Sequence, residues 1–364
     1  MRKINFIILL ASITMASCQD KLSQKTKKEI QEKQVFWQTR TNLINKNKNT
    51  MEYPIKKDVT IGNEKRFNQI YINSGSFQFE VYIDDVFLMN MKGEATKGQG
   101  GITGGYQINP FLLTSGTHEI KIRIYPAYGQ KVFGPGGSIE LLFQHYKDGD
   151  LRTMVYDEKM GGRDGIRLDQ DHEQWIGEKG EYDTPSYVKG HYEPKDPLPV
   201  KGLPIYEWRS TFDAQVPFDF IGWRNSVNLQ KEQEDEKKNI KAELIVEYRK
   251  IYEIIKNRDV QGYLNFVKEK EDLLGKTLYY TEKERKEKIK MAEELLNNSD
   301  YELEPLFEET FKLEYQGYGK LVTLLHLADG EGIIRLTNKK DPNENIYLDF
   351  LFQRKEKGGK LSVI

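Results

Sequence analysis

Apolar and polar residues alternate with a period of two over much of residues 53–146. Phe77, Phe79, Val81 and Ile83 interleave with Gln78, Glu80 and Tyr82, the pattern of a strand with one face in a core and the other in water. Asp84-Asp85 separates this run from Val86 to Met91 and predicts a tight hairpin. Ile120, Ile122 and Ile124 alternate with Glu119, Lys121 and Arg123, and residues 138–146 repeat the signal. Turns are marked at Ser74-Gly75, Ser115-Gly116, 127–129 and 134–137. Further strands are predicted at 151–157, 204–214 and 215–221. Many short strands with glycine-rich turns and no helical period predict a β-sandwich or small barrel over residues 51–228. Within it, residues 158–202 lose all periodicity and are rich in Gly and Pro. A stretch of that length is either a functional excursion or a cover for short strands.

At Val227 the period changes. Ile240, Leu244, Tyr248, Ile251 and Ile255 share one face of a long amphipathic helix predicted over 229–257. A shorter helix is predicted over 260–269. Thr281, with Glu284 three residues on, has the form of a capping box. It opens a third helix to about Asn297, supported by the Glu282–Lys286 and Glu284–Lys288 pairs. Beyond Asp300 the period returns to two, with strands expected at 311–315, 320–327, 332–337 and 346–352. Turn residues stand at 317–319, 329–330 and 341–343. Three helices followed by four meandering strands resemble the NTF2-like fold, a curved sheet wrapped round a helix to leave a cone with one open end. The fold class expected is therefore α+β in two domains, a β-sandwich (51–228) and an NTF2-like domain (229–364).

The first residues read differently. Arg2 and Lys3 precede a short apolar run, and Ala16-Ser17 lead into Cys18, the one cysteine of the chain. Met15-Ala16-Ser17-Cys18 resembles the lipobox of a bacterial lipoprotein signal. The expectation is a signal peptide over 1–17, a lipidated Cys18 and a polar spacer over 18–50. That places the chain in the cell envelope, lipid-anchored, at the outer membrane facing the periplasm. No other apolar run reaches the roughly 18–20 residues of a membrane helix. With Cys18 consumed, no disulfide framework or cysteine metal site is expected.

The formal net charge of −1 argues against a nucleic-acid binder, which would carry a basic stripe. No motif points to a cofactor, and none is expected. Lys97 to Gly105 is glycine-rich, but it lacks the Gly-Lys-Ser/Thr of a phosphate loop and lies between predicted strands, with no helix expected after it. Asp169, Asp171, His172 and Glu173 offer ligand types for a divalent cation without the spacing of an EF-hand loop. His118, His145, His172, His191 and His326 stand in no metal motif. His326 and Asp349 could form an acid–base pair inside a cone if both face inward, but strand alternation points His326 away from Leu325 and Leu327. Trp175, Tyr182, Tyr187 and Tyr192 cluster in the irregular stretch. They either anchor that stretch to the sandwich or form a recognition patch.

Two longer segments carry a further resemblance. Residues 72–83 with 111–126, and residues 211–229, together with Gly319-Lys320-Leu321-Val322, are similar to a poorly characterised group of Gram-negative lipoproteins. Some members of that group accompany secreted antibacterial effectors. The resemblance implies a non-catalytic module that binds a protein partner, such as an immunity protein. A glycan or small-ligand binder, and an NTF2-like enzyme, are the alternatives.

Overall fold

The computed structural model describes residues 56–364 apart from 94–95, 99, 131–137, 148–149, 156–173, 177–186, 189–204, 328 and 342–343. Cys18, the spacer, the acidic cluster 169–173, Tyr182, Tyr192 and His191 lie outside the described residues. The described chain is α+β, with several antiparallel sheets and six helices.

The first half is nearly all strand: β1 (Val59–Thr60), β2 (Arg66–Gly75), β3 (Phe77–Ile83), β4 (Val86–Met91), β5 (Thr103–Gln107), β6 (Gly116–Pro126), β7 (Ser138–Lys147), β8 (Asp150–Val155), β9 (Gln174–Ile176), β10 (Tyr187–Val188), β11 (Ile205–Ala214) and β12 (Phe218–Asp219). One sheet has the order β10-β9-β11-β6-β3-β4, a second β5-β2-β7-β8, and β1 pairs with β12. All these pairings are antiparallel except β9 with β10. Asp84 and Asp85 make the tight turn of the β3–β4 hairpin with φ of 49° and 62°, the doubly positive turn that matches strand twist. The two larger sheets share one core of Ile70, Ile72, Phe79, Val81, Ile83, Ile120, Ile122, Phe143 and Phe212. Phe143 and Phe212 meet across it, 5.1 Å between ring centroids. This layering is compatible with a β-sandwich. The stretch expected to be irregular contains the short strands β9 and β10, which extend the six-stranded sheet.

Two expectations for this half need correction. A four-residue helix, α1 (Asn109–Leu112), follows the glycine-rich segment, which itself runs into β5. More consequentially, the polar face of β3 and β6 is not in water. Gln78, Tyr82, Glu119, Lys121 and Tyr125 are all buried. Part of this face meets the second half of the chain: Glu314 lies near Tyr82 and Tyr318 near Glu119.

That half begins with α2 (Leu229–Glu236), α3 (Ile240–Lys256), α4 (Val260–Phe266), α5 (Lys268–Thr277) and α6 (Glu282–Asn297). The single helix expected over 229–257 is two. Lys237 turns left-handed at φ 57°, and Asn239 starts a new helix by accepting the Ala242 N–H at 3.0 Å. The helix expected over 260–269 likewise divides at Val267 and runs on to Thr277. The predicted apolar face of α3 is buried residue for residue, and Thr281 and Glu284 form the expected capping box.

Strands β13 (Tyr301–Leu303), β14 (Phe311–Gln316), β15 (Leu321–His326), β16 (Ile334–Asn338), β17 (Asn345–Leu348), β18 (Phe352–Arg354) and β19 (Leu361–Val363) follow. They form two sheets, β14-β15-β18-β19 and β13-β16-β17, rather than one meander. β15 meets β16 through the single bridge Leu325–Gly332. The strand expected over 346–352 therefore breaks: residues 349–351 carry the chain from one sheet to the other. A second core gathers on α3, with Leu244, Tyr248, Ile251, Val322, Leu324, Phe350 and Phe352.

Candidate functional site

The two halves meet where hairpin β3–β4 touches the β14–β15 turn. The Asp85 carbonyl accepts the Gly317 N–H at 2.9 Å. The Asp85 carboxylate accepts the Tyr318 N–H at 2.8 Å and the Lys121 ammonium at 2.6 Å. Gln316 Oε1 accepts the Phe87 N–H at 2.9 Å, across 229 residues of chain. Gly317, Tyr318 and Gly319 all have positive φ, which is why glycines flank the tyrosine in this turn. Val86, Leu321 and Ile364 form a small shared core beside it, with Trp223 and Phe111.

Away from this seam the two sheet faces part and leave a cleft of about 320 Å³. One wall is the polar face of β3, β4 and β6: Glu80, Tyr82, Phe87, Asn90 and Arg123. The other is the face of β14 and β15 with Lys312, Glu314, Gln316, Thr323 and Leu325. Register places Lys312 beside Leu325 and Glu314 beside Thr323, so alternation sends these side chains to one face. Helix α5 adds Lys270, Leu273 and Leu274, and the sheet-switching segment adds Asp349, Phe350 and Leu351.

The charges of the cleft fall into two sets. Glu80 is fully engaged. It pairs with Lys92 and accepts the hydroxyls of Tyr82 at 3.1 Å and Tyr125 at 2.8 Å. Burial would raise its carboxyl, but Lys92 and Arg123, with the Lys92 and Tyr125 hydrogen bonds, overcome this and hold it at about 2. Burial acts the other way on Lys92, and Glu80 again prevails, so the ammonium is raised. The second set has no such partners. Burial raises the Glu314 carboxyl, helped by nearby Glu80. Burial raises Glu331, helped by Asp349. Asp349 is open to solvent in the cleft, yet the surrounding protein raises its carboxyl too. Burial lowers the Lys270 ammonium. That ammonium donates to the Asp349 carbonyl at 2.9 Å and lies 5.7 Å from the Phe350 ring centroid. Among the described residues, Glu314, Glu331, Asp349 and Lys270 make no side-chain ion pair.

A larger groove of about 750 Å³ runs along α5 and β19. Its lysines are spoken for: Lys276 pairs with Asp58, Lys355 with Glu269, Lys250 with Glu247 and Lys268 with Asp272. It is a charge-satisfied surface, so the smaller cleft is the stronger site.

Other candidate residues are dispersed. His118 is fully buried and held from both ring nitrogens, by Asp84 at 2.8 Å and the Thr114 carbonyl at 3.1 Å; it pins the β3–β4 turn. Asp349 lines the cleft, whereas His326 sits on the opposite face of β15 near Asp329 and Arg335, its imidazole lowered by burial and by Arg335. The structure does not bring this pair together. Trp175 and Tyr187 are register partners on β9 and β10, at the edge of the six-stranded sheet. Among the described residues, no group of three or more His, Cys, Asp or Glu could hold a metal, and no helix is long and apolar enough to cross a membrane.

The cleft residues escaped the sequence reading because Glu80, Lys270, Glu314 and Glu331 share no local spacing. One signal was present: a strand with Glu119, Lys121, Arg123 and Tyr125 on one face carries more long side chains than a solvated face requires. Comparison with protein-family models, with curated proteins and with solved structures gave no match to this chain.

Proposed function

We propose that this chain is a non-catalytic binding protein, lipid-anchored through Cys18 in the bacterial envelope, that holds a small ligand between its two halves. In this reading the halves are a β-sandwich domain and an NTF2-like domain. The observation that supports it is the cleft itself. It has the size of a small-molecule site, apolar side chains stand between its charged ones, and Lys270, Glu314, Glu331 and Asp349 make no side-chain ion pair among the described residues. The small-ligand alternative thus ranks above the protein-partner expectation. The test is native mass spectrometry of the full mature chain after incubation with envelope extract. A small-molecule adduct on the wild type, absent from a folded Leu325→Trp variant that fills the cleft, is the expected result. No adduct, or one that Leu325→Trp retains, refutes the reading.

The protein-binding reading, immunity against a secreted effector included, has one support of its own. Among the described residues β10 pairs on one side, with β9, and a sheet edge of this kind is a place where partner strands add.

A further inference from the structure

The cleft reading can be carried to a ligand class. Beside the paired Glu80 and Lys92, the cavity is lined by Lys270, Glu314, Glu331 and Asp349, charges of both signs that make no ion pair among the described residues. Lys270 Nζ has one carbonyl contact, to Asp349 at 2.9 Å, although an ammonium has three donors. The Glu331 carboxylate has one long contact, from Asn90 at 3.5 Å. Glu314 accepts from Gln316 at 3.3 Å on its own strand. Between them stand Phe87, Leu88, Leu274 and Leu325.

Each simpler ligand leaves something unmatched. An anion would satisfy Lys270 but lie against Glu331, Asp349 and Glu314. A cation would satisfy the carboxylates and confront Lys270. A neutral apolar ligand would strip water from both signs and return nothing, which is costly. We propose that the cleft takes a small zwitterion bearing an apolar group, the chemistry of a free amino acid or short peptide. Its carboxylate lies on Lys270, its ammonium on Glu331 and Glu314, and its apolar group on Phe87, Leu88, Leu274 and Leu325. The volume of about 320 Å³ suits such a molecule and excludes a long chain.

This inference rests on the cleft reading, and calorimetry separates the two. The probes are the twenty free amino acids and leucyl-leucine, titrated into the full mature chain. Each binder is compared with its decarboxylated amine and its deaminated acid. At least one apolar zwitterion is expected to bind, and removing either charge should weaken it about tenfold to a hundredfold, the range for hydrogen bonds to charged groups. Lys270→Met should abolish the preference for zwitterion over amine. Glu331→Gln should reduce the preference for zwitterion over acid. Unchanged melting temperatures establish that these variants fold. An amine or acid that binds as well as the zwitterion overturns the proposal, as does a preference that survives Lys270→Met. If no probe binds while an extract adduct is still lost in Leu325→Trp, the zwitterion is wrong and the cleft stands. If neither appears, both are wrong.

Discussion

Asn109 offers the sharpest test of how the two halves are joined. Its side chain is fully buried and makes four hydrogen bonds, the full capacity of an amide apart from bifurcation. Oδ1 accepts the Asn68 backbone N–H at 2.8 Å and the Asn68 side-chain N–H at 3.0 Å. Nδ2 donates to the Arg66 carbonyl at 2.7 Å and to the Thr277 carbonyl at 3.0 Å. The last of these ties α1 to the end of α5. Arg66 keeps a second donor, since the Tyr279 hydroxyl also reaches its carbonyl at 2.8 Å. Asn109→Ala therefore strands the Asn68 N–H and the Thr277 carbonyl. At about 1–3 kcal/mol for each stranded buried group, the expected cost is about 2–6 kcal/mol. Asn109→Asp keeps both acceptor contacts but turns an oxygen toward two carbonyl oxygens. Those carbonyls raise the new carboxyl above its unfolded value of about 3.9. The folded state then holds the proton longer than the unfolded one, so the aspartate variant loses stability as pH rises from about 4 to 7. Urea unfolding followed by tryptophan fluorescence measures both effects. An alanine cost below about 1 kcal/mol, or an aspartate variant whose deficit does not change with pH, refutes the four-bond account.

Glu80 has the opposite sign. Its carboxyl is depressed to about 2 from an ordinary 4.5, so its stabilisation is complete above about pH 4.5 and is lost as pH falls through about 2; Glu80→Gln should flatten the acid limb of stability in that window. Residues 229–364 expressed alone should melt cooperatively but below the whole chain, because Leu273 and Tyr279 pack on the first core and Ile364 on Val86; a fragment equally stable would show that the seam contributes nothing. If a protein partner uses the β9–β10 edge, Trp175→Ala and Tyr187→Ala should each weaken binding roughly thirtyfold, about 2 kcal/mol, at unchanged melting temperature; a large stability loss instead assigns these aromatics to packing. Cys18→Ser should release the protein from the membrane fraction, and a variant that still sediments after a carbonate wash contradicts the lipid anchor.

The local features of this chain were legible because local free energies set them. Alternation of Phe79, Val81 and Ile83 marks a strand whatever packs on it. Asp84-Asp85 tolerates the left-handed turn that a hairpin needs. Thr281 with Glu284 caps a helix using atoms within one turn, and the apolar face of α3 follows from 3.6 residues per turn. The break at Lys237 was missed because residues 230–239 are all polar, so no apolar period ends or restarts at it.

What covers each face was decided only in three dimensions. Glu119 and Lys121 alternate with isoleucines just as a solvated face would, yet they are buried: Lys121 pairs with Asp85 of the neighbouring hairpin, Glu119 lies against Arg209 of β11, and Tyr318 closes on Asp85 from 233 residues further along the chain. The single strand expected over 346–352 became two because β17 and β18 found different neighbours, and that switch delivers Asp349 and Leu351 to the cleft. Periodicity records whether a position prefers oil or water, a property of the residue and its near neighbours. Which surface meets which depends on long-range shape and on the pairing of distant polar groups. Most elements were therefore set by local sequence, and the break at 349–351 and the cleft between the halves by the tertiary fold.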